Sequence, residues 1–254
     1  MTIEATKHLR PIRSYVQRAG RMTTAQRRAL EELWPRYQVA DDVALLDWVL
    51  LFGRTAPVVI EIGFGNGASL LTMAAAQPEK NFIGVEVHRP GIGQLLMGLA
   101  QDGITNVRLV CGDALEFLQH RVMDDSVDAL HLFFPDPWPK VRHHKRRLVQ
   151  AEFAQLVRRK LRVGGYLHMA TDWQAYAEHM MKTMTQALGY SNTSGAQNYC
   201  PRPLENAPAF ASRGLAPVLP TSMAVAEYRP LTKFERRGQR LGHGVWDLVF
   251  QRVK

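Results

Sequence analysis

Cysteine is scarce in this chain: Cys111 and Cys200 are the only two among 254 residues. They lie far apart and match no metal or redox spacing, which argues against a disulfide scaffold and a thiolate metal site and leaves two thiols expected to stay reduced in the cytoplasm. Long apolar runs are missing too. The longest, VALLDWVLLF, is interrupted by Asp47 and is too short to span a bilayer, and the opening MTIEATKHLRPIRSYVQR lacks the apolar centre of a secretion signal. A cytoplasmic protein that does not enter membranes is expected. Acids are rare in one place above all: between Trp138 and Arg162, Glu152 stands alone against nine Lys and Arg.

What is present is concentrated. The net charge is +9, and besides the run at 138–162 a second basic stretch, Arg229 to Lys254, carries seven Lys and Arg against Glu235 and Asp247. Clustered positive charge points to a polyanion partner, because each phosphate it neutralises releases counterions. A solvated helix face is the plainer reading of one such run, and less so of two.

With 46% hydrophobic residues the chain is long enough for one large core. Residues 1–56 read as a basic arm followed by the helix TTAQRRALEELWPRYQ, with a Thr placed to cap it. From Pro57 to residue 254 the pattern alternates. VVIEI, FIGVEV, NVRLVC, VDALHLFF and YLHMAT read as strands, separated by helical stretches that include KRRLVQAEFAQLVRRKL, closed by Gly164 and Gly165. A proline-rich insertion at about 191–224 has no periodicity and reads as a long loop, after which VWDLVF alternates as a strand. Strands joined by helices predict right-handed crossovers and a mostly parallel, doubly wound sheet, in which ligands sit beyond the carboxyl ends of the strands.

Those ends are unusual. EIGFGNGAS places Gly63, Gly65 and Gly67 in a tight turn before a helix, and it also satisfies a dinucleotide pattern through Gly63, Gly65 and Ala68, with Glu86 about twenty residues on to hold ribose hydroxyls. Glu61 weighs against a diphosphate there and suits a sulfonium or ammonium. Asp113 is placed to meet an adenine amine, or simply to cap the helix it precedes. Asp136 follows in FFPDPWPK. Four acids at consecutive strand ends favour a cofactor with ribose, adenine and positive charge.

The segments EIGFGNG, GVEVHRPG, CGDA, LFFPDPWPKVRHHKRR, ATDW and RPLTKFERRGQRLGHGVWDL together resemble the bacterial tRNA (guanine-N7)-methyltransferase family, as does the N-terminal IRSYVQRAGRMTTAQ. The resemblance implies a Rossmann-like class I α/β methyltransferase fold, a seven-stranded mostly parallel sheet with helices on both faces. It implies S-adenosylmethionine as cofactor, with Glu61, Gly63, Gly65, Glu86, Asp113 and Asp136 lining its site and Asp136 as the catalytic residue. Lys140, Asp172, Thr232, Lys233, Phe234 and Glu235 would contact the substrate, and Arg142, His143, His144, Lys145, Arg146 and Arg147 the RNA. The target would be guanine 46 in the variable loop of tRNA, the partner tRNA, the assembly a monomer or homodimer. The sequence departs from the family between Pro203 and Arg229, where the usual connection is much shorter.

Guanine N7 has an in-plane lone pair and no proton, so the chemistry asks Asp136 to position the base rather than to deprotonate it. Trp138 reads either as a stacking platform or as core. His143 and His144 are adjacent, point apart and lack partners at ligand spacing, so no metal is expected. Two other classes compete. A nicotinamide-dependent oxidoreductase leaves Glu61 and the basic runs without a purpose, and a non-catalytic RNA-binding protein gives no reason for four acids at strand ends.

Overall fold

Short β-branched runs buried on both faces form the centre of the molecule. The computed structural model describes residues 14–15, 20–40, 45–193, 200–202, 229–230, 235 and 244–254. β1 (Val58–Ile62) lies between β2 (Asn81–Glu86) and β4 (Val127–Phe133), parallel to both, while β3 (Val107–Cys111) flanks β2 and β5 (Leu161–Thr171) flanks β4, again in parallel. Every residue of β1 and β2 is buried, as a central parallel strand with helices above and below requires. Two short strands, β6 (Tyr190–Asn192) and β7 (Cys200–Arg202), pair antiparallel with successive stretches of β8 (Val245–Arg252), which itself runs antiparallel to β5. The order is β3-β2-β1-β4-β5-β8-β6, with β7 also on β8, so eight strands occupy the seven expected places. The stretch expected to be one long loop thus contributes two edge strands.

Helices cover both faces. α1 (Thr24–Glu32), α2 (Trp34–Tyr37), α4 (Ala68–Ala76) and α5 (Arg89–Gln101) pack with Val59, Phe82 and Leu109 on one side. On the other, α3 (Trp48–Phe52), α6 (Ala114–Arg121), α7 (Ala151–Lys160) and α8 (Gln174–Gln186) pack with Ile60, Ile83 and Leu130. Thr23 caps α1 in a reciprocal box with Gln26, as the sequence predicts. α1 lies hard against α5: a Cβ on Gly93 would meet the Gln26 carbonyl oxygen at 2.7 Å.

Two helices differ from their prediction: TTAQRRALEELWPRYQ divides at Leu33 into α1 and α2, and the basic helix starts late. Val141–Arg146 form a 3₁₀ helix and α7 begins only at Ala151, because the Arg147 guanidinium turns inward to the Pro137 carbonyl and Gln150 donates back to the His144 and Arg147 carbonyls. α7 also ends at Lys160 rather than at the glycine pair; Gly164 and Gly165 lie within β5. Among the described residues, no helix is long and apolar enough to cross a membrane and no group of three or more side chains is arranged to hold a metal.

Candidate active site

The strand order reverses between β1 and β4, and a doubly wound sheet opens its ligand crevice at that switch point. A cavity of about 420 Å³ lies there, bounded by the loops after β1, β2, β3 and β4 and by Ser14 and Tyr15 of the N-terminal arm. That volume is the size of a small-molecule site. The β1 loop is made for close approach. Gly63, Gly65 and Gly67 all have positive φ, and at Gly63 and Gly65 the direction a side chain would take is open.

The loop is also held. The Glu86 carboxylate accepts from the Gly65 amide at 2.8 Å, from Val87 at 2.7 Å and from His88 at 2.9 Å, so it fixes the glycine turn to the end of β2 as well as facing the cavity. Asp113 caps α6 through the Leu115 amide at 2.8 Å, as one of its two readings has it, and the residue also lines the cavity.

Glu61 is the odd group. It is 2% exposed inside an apolar strand, lines the cavity, and its Oε2 has no hydrogen-bond partner among the described residues. Burial, reinforced by the Glu86 charge and opposed by Arg229, pushes its carboxyl up to about 8. A buried carboxyl whose Oε2 meets no donor suits a ligand whose positive charge favours its ionised form.

Asp136 stands exposed on the cavity rim, in a loop whose backbone is unusual. Phe134 (φ 53°) and Trp138 (φ 46°) both adopt the left-handed conformation on either side of it. Side chains that ordinarily avoid that region persist there only when their surroundings hold them. Trp138 is held by its indole N–H, donated to the Ser14 carbonyl at 3.1 Å, by Arg146 4.1 Å above the ring and by the edge of His143 at 5.9 Å. It is half-buried, so it serves the loop more than an open stacking face.

The six residues expected around a cofactor, Glu61, Gly63, Gly65, Glu86, Asp113 and Asp136, therefore meet in one cavity. The expected substrate and RNA residues scatter more. Lys140 is exposed beyond the rim and Asp172 follows β5, half-buried, outside the lining. Arg142 and Lys145 are exposed on the 3₁₀ helix, with His143 and His144 half-buried beside them. Arg147, expected at the RNA surface, is instead 4% exposed and holds the Pro137 carbonyl at 3.0 Å with its guanidinium over Tyr176. Thr232, Lys233 and Phe234 lie outside the described residues. Glu235 is fully buried and bonded to Arg229.

That last pair belongs to a cluster the sequence reading missed. Arg229, wholly buried, donates from Nε and Nη2 to Asp247 and from Nη1 to Glu235; His168 Nε2 lies 2.8 Å from Asp247, and His131, kept well below its ordinary pKa by burial, neighbours His168 on the next strand. The available signal was a polar residue inside each of three apolar strands: His131 in VDALHLFF, His168 in YLHMAT, Asp247 in VWDLVF.

Residues 55–214 match a protein family described as "Putative methyltransferase". The chain is 53% identical over 98% of its length, and 96% of the relative's, to a tRNA (guanine-N(7)-)-methyltransferase of Aeromonas hydrophila. It is 55% identical over 96% of its length, and 93% of the relative's, to one of Stutzerimonas stutzeri. Among solved structures it resembles the 16S rRNA methyltransferase KamB, with a TM-score of 0.54 at 15% identity over 82% of this chain and 94% of the other. That likeness speaks for the fold.

Proposed function

We propose a function from one premise: the chain belongs to the tRNA (guanine-N7)-methyltransferase family. It transfers the methyl group of S-adenosylmethionine to N7 of a guanine in tRNA, and we assign that guanine to position 46 of the variable loop. The observation that carries this reading is the cavity that collects four acids from four strand ends, with Asp136 on its rim five residues ahead of the cationic 3₁₀ helix.

The residues present fit S-adenosylmethionine. Glu61, whose Oε2 meets no donor, would answer its positive charge, Glu86 and Asp113 would offer acceptors to its hydroxyls and ring amine, and Gly63 and Gly65 leave the cavity wall bare. When bound, the cofactor supplies a methyl group made electrophilic by its sulfonium. A nicotinamide cofactor would instead set its diphosphate against Glu61.

The chain's own work is positioning. With the cofactor bound, guanine N7 would take the methyl group through its lone pair, the sulfur keeping the electron pair of the bond given up. Positive charge thereby moves onto the guanine ring. Asp136, accepting hydrogen bonds from N1–H and the exocyclic amine, turns N7 toward the methyl group and is best placed to stabilise that charge as it appears. Asp172, which follows β5, shares the acceptor work. Lys140, Arg142 and Lys145 take the phosphates, and the base leaves its stack to reach the cavity.

Incubation of the protein with labelled S-adenosylmethionine and an unmodified tRNA transcript, followed by borohydride and aniline cleavage, tests this directly. One break, at guanine 46, is expected, and a transcript with adenine there should take up no label. Label without that break overturns the assignment of the atom or the position; no label at all overturns the activity.

A further inference from the structure

Trp138 is taken up by its own loop, so the site offers a displaced base an edge partner in Asp136 but still needs a flat surface for its face. Proteins that handle an unstacked base supply both, hydrogen bonds to the edge and an aromatic side chain against the ring. Trp173 has the means. It is 38% exposed, and among the described residues no other Phe, Tyr or Trp is exposed.

Trp173 also breaks a local rule. It stands at the N-cap of α8, a position that favours Ser, Thr, Asp or Asn, and its side chain makes no cap bond. Thr171 and Asp172, residues of the capping kind, lie just before it, and the Thr171 hydroxyl instead accepts from the Trp173 amide at 3.2 Å. A helix start that gives up its cap and leaves an indole facing water is not what the fold alone would select, and such departures gather at functional sites.

The backbone brings Trp173 to the Asp136 loop. β4 and β5 run parallel with Phe133 opposite Ala170, and the Phe134 amide donates to the Ala170 carbonyl at 2.8 Å, so Asp136 and Trp173 each come three residues past one rung of the sheet. Arg147 ties the two exits together, donating from Nε to the Pro137 carbonyl at 3.0 Å and from Nη1 to the Ala175 carbonyl at 3.5 Å. Tyr176, in the first turn of α8, feels the Asp136 charge. Trp173 does not line the cofactor cavity, so its face is not spent on the cofactor. Resting on the function proposed above, we infer that Trp173 is the platform on which the displaced guanine stacks, the indole holding the face of the ring while Asp136 holds its edge. Methylation leaves the purine cationic, and a cationic ring is held over an indole more strongly than a neutral one, so the contact tightens along the reaction.

The test separates an aromatic face from bulk: Trp173→Phe keeps a face, and Trp173→Leu keeps apolar volume without one. Each protein is titrated by fluorescence anisotropy with two tRNAs. One carries 7-deazaguanine at the target, which keeps the ring and its pairing edge but has no N7 to methylate, and the other an abasic site there. Wild type is expected to prefer the base over the gap. That preference should shrink about tenfold in Trp173→Leu and stay within about threefold in Trp173→Phe, with kcat/KM on guanine tRNA falling in the same order. Affinity for S-adenosylmethionine by calorimetry should not move. A preference unchanged in the leucine variant or lost equally in both overturns the proposal, as does a matching fall in cofactor affinity. Should leucine unfold the chain, Trp173→Ser, which offers α8 a cap, takes its place. Wild type that leaves guanine unmethylated at N7 defeats the proposed function instead, and shows itself before any variant is made.

Discussion

At Asp136 the chemistry sets a sharp expectation. A residue that positions guanine by accepting two hydrogen bonds is not replaced by its amide, whose NH₂ would face two donors. Asp136→Asn and Asp136→Ala should therefore both lose about 10²- to 10³-fold in kcat, with cofactor affinity little changed by calorimetry. Glu61 carries the opposite signature. Its carboxyl is held up at about 8, against an ordinary value of 4.5. The stability this gives is fully present below the ordinary value and is lost as pH rises through 8, so the ligand-free protein should weaken between pH 5 and 8 and Glu61→Gln should weaken less. Cofactor binding needs the ionised form, so affinity should climb toward pH 8, by up to about tenfold per unit, and calorimetry should find that climb reduced in the glutamine variant. The cofactor's own amine titrates alike with both proteins, so their difference isolates Glu61.

The Asp136 loop is a small element with its own supports. Two left-handed residues, an indole bonded to the N-terminal arm and a buried guanidinium on the Pro137 carbonyl hold it. Arg147→Ala should cost about 2 to 4 kcal/mol of stability in urea and slow the reaction, while leaving the salt dependence of tRNA binding where it was. This element was half legible. The apolar run, the prolines and the exposed acid could be read from FFPDPWPK, because strand ends and turn residues are local signals. Arg147 could not, because it is a cation in a basic run and only its pairing with a carbonyl ten residues back says that it points inward. The same limit hid Arg229, whose Asp247 partner is 18 residues on, and His168, which meets Asp247 across 79.

Over the whole molecule, the basic run at 138–162 divides. α7 carries the chain about 15 Å, so Lys160 and Arg162 pair with Asp124 and Asp128 near the start of β4, at the opposite end of the sheet from the cavity. Linear charge counting cannot see this separation. The second run loses members too, with Arg229 in the core and Arg252 tied to Asp125 and the Leu161 carbonyl. Among the described residues, the exposed cations of the first run that follow the Asp136 loop are those near the 3₁₀ helix, so Arg142→Ala with Lys145→Ala should reduce the slope of log binding constant against log salt by about 0.7 to 0.9 for each phosphate no longer neutralised, whereas Arg159→Ala should not; equal slopes for both variants would count against this surface. The strand alternation and the order of site loops were readable; which cations face RNA was a property of the folded solid. The sheet order has one more consequence, in the order of synthesis. β6 and β7 pair only with β8 among the described strands, and β8 slots between them and β5 although it leaves the ribosome after both. Asp247, the anchor of Arg229, arrives with it. A nascent chain can thus pair β1 through β5 while β8 is still unmade, whereas β6 and β7 gain their described ladder only with that last described strand.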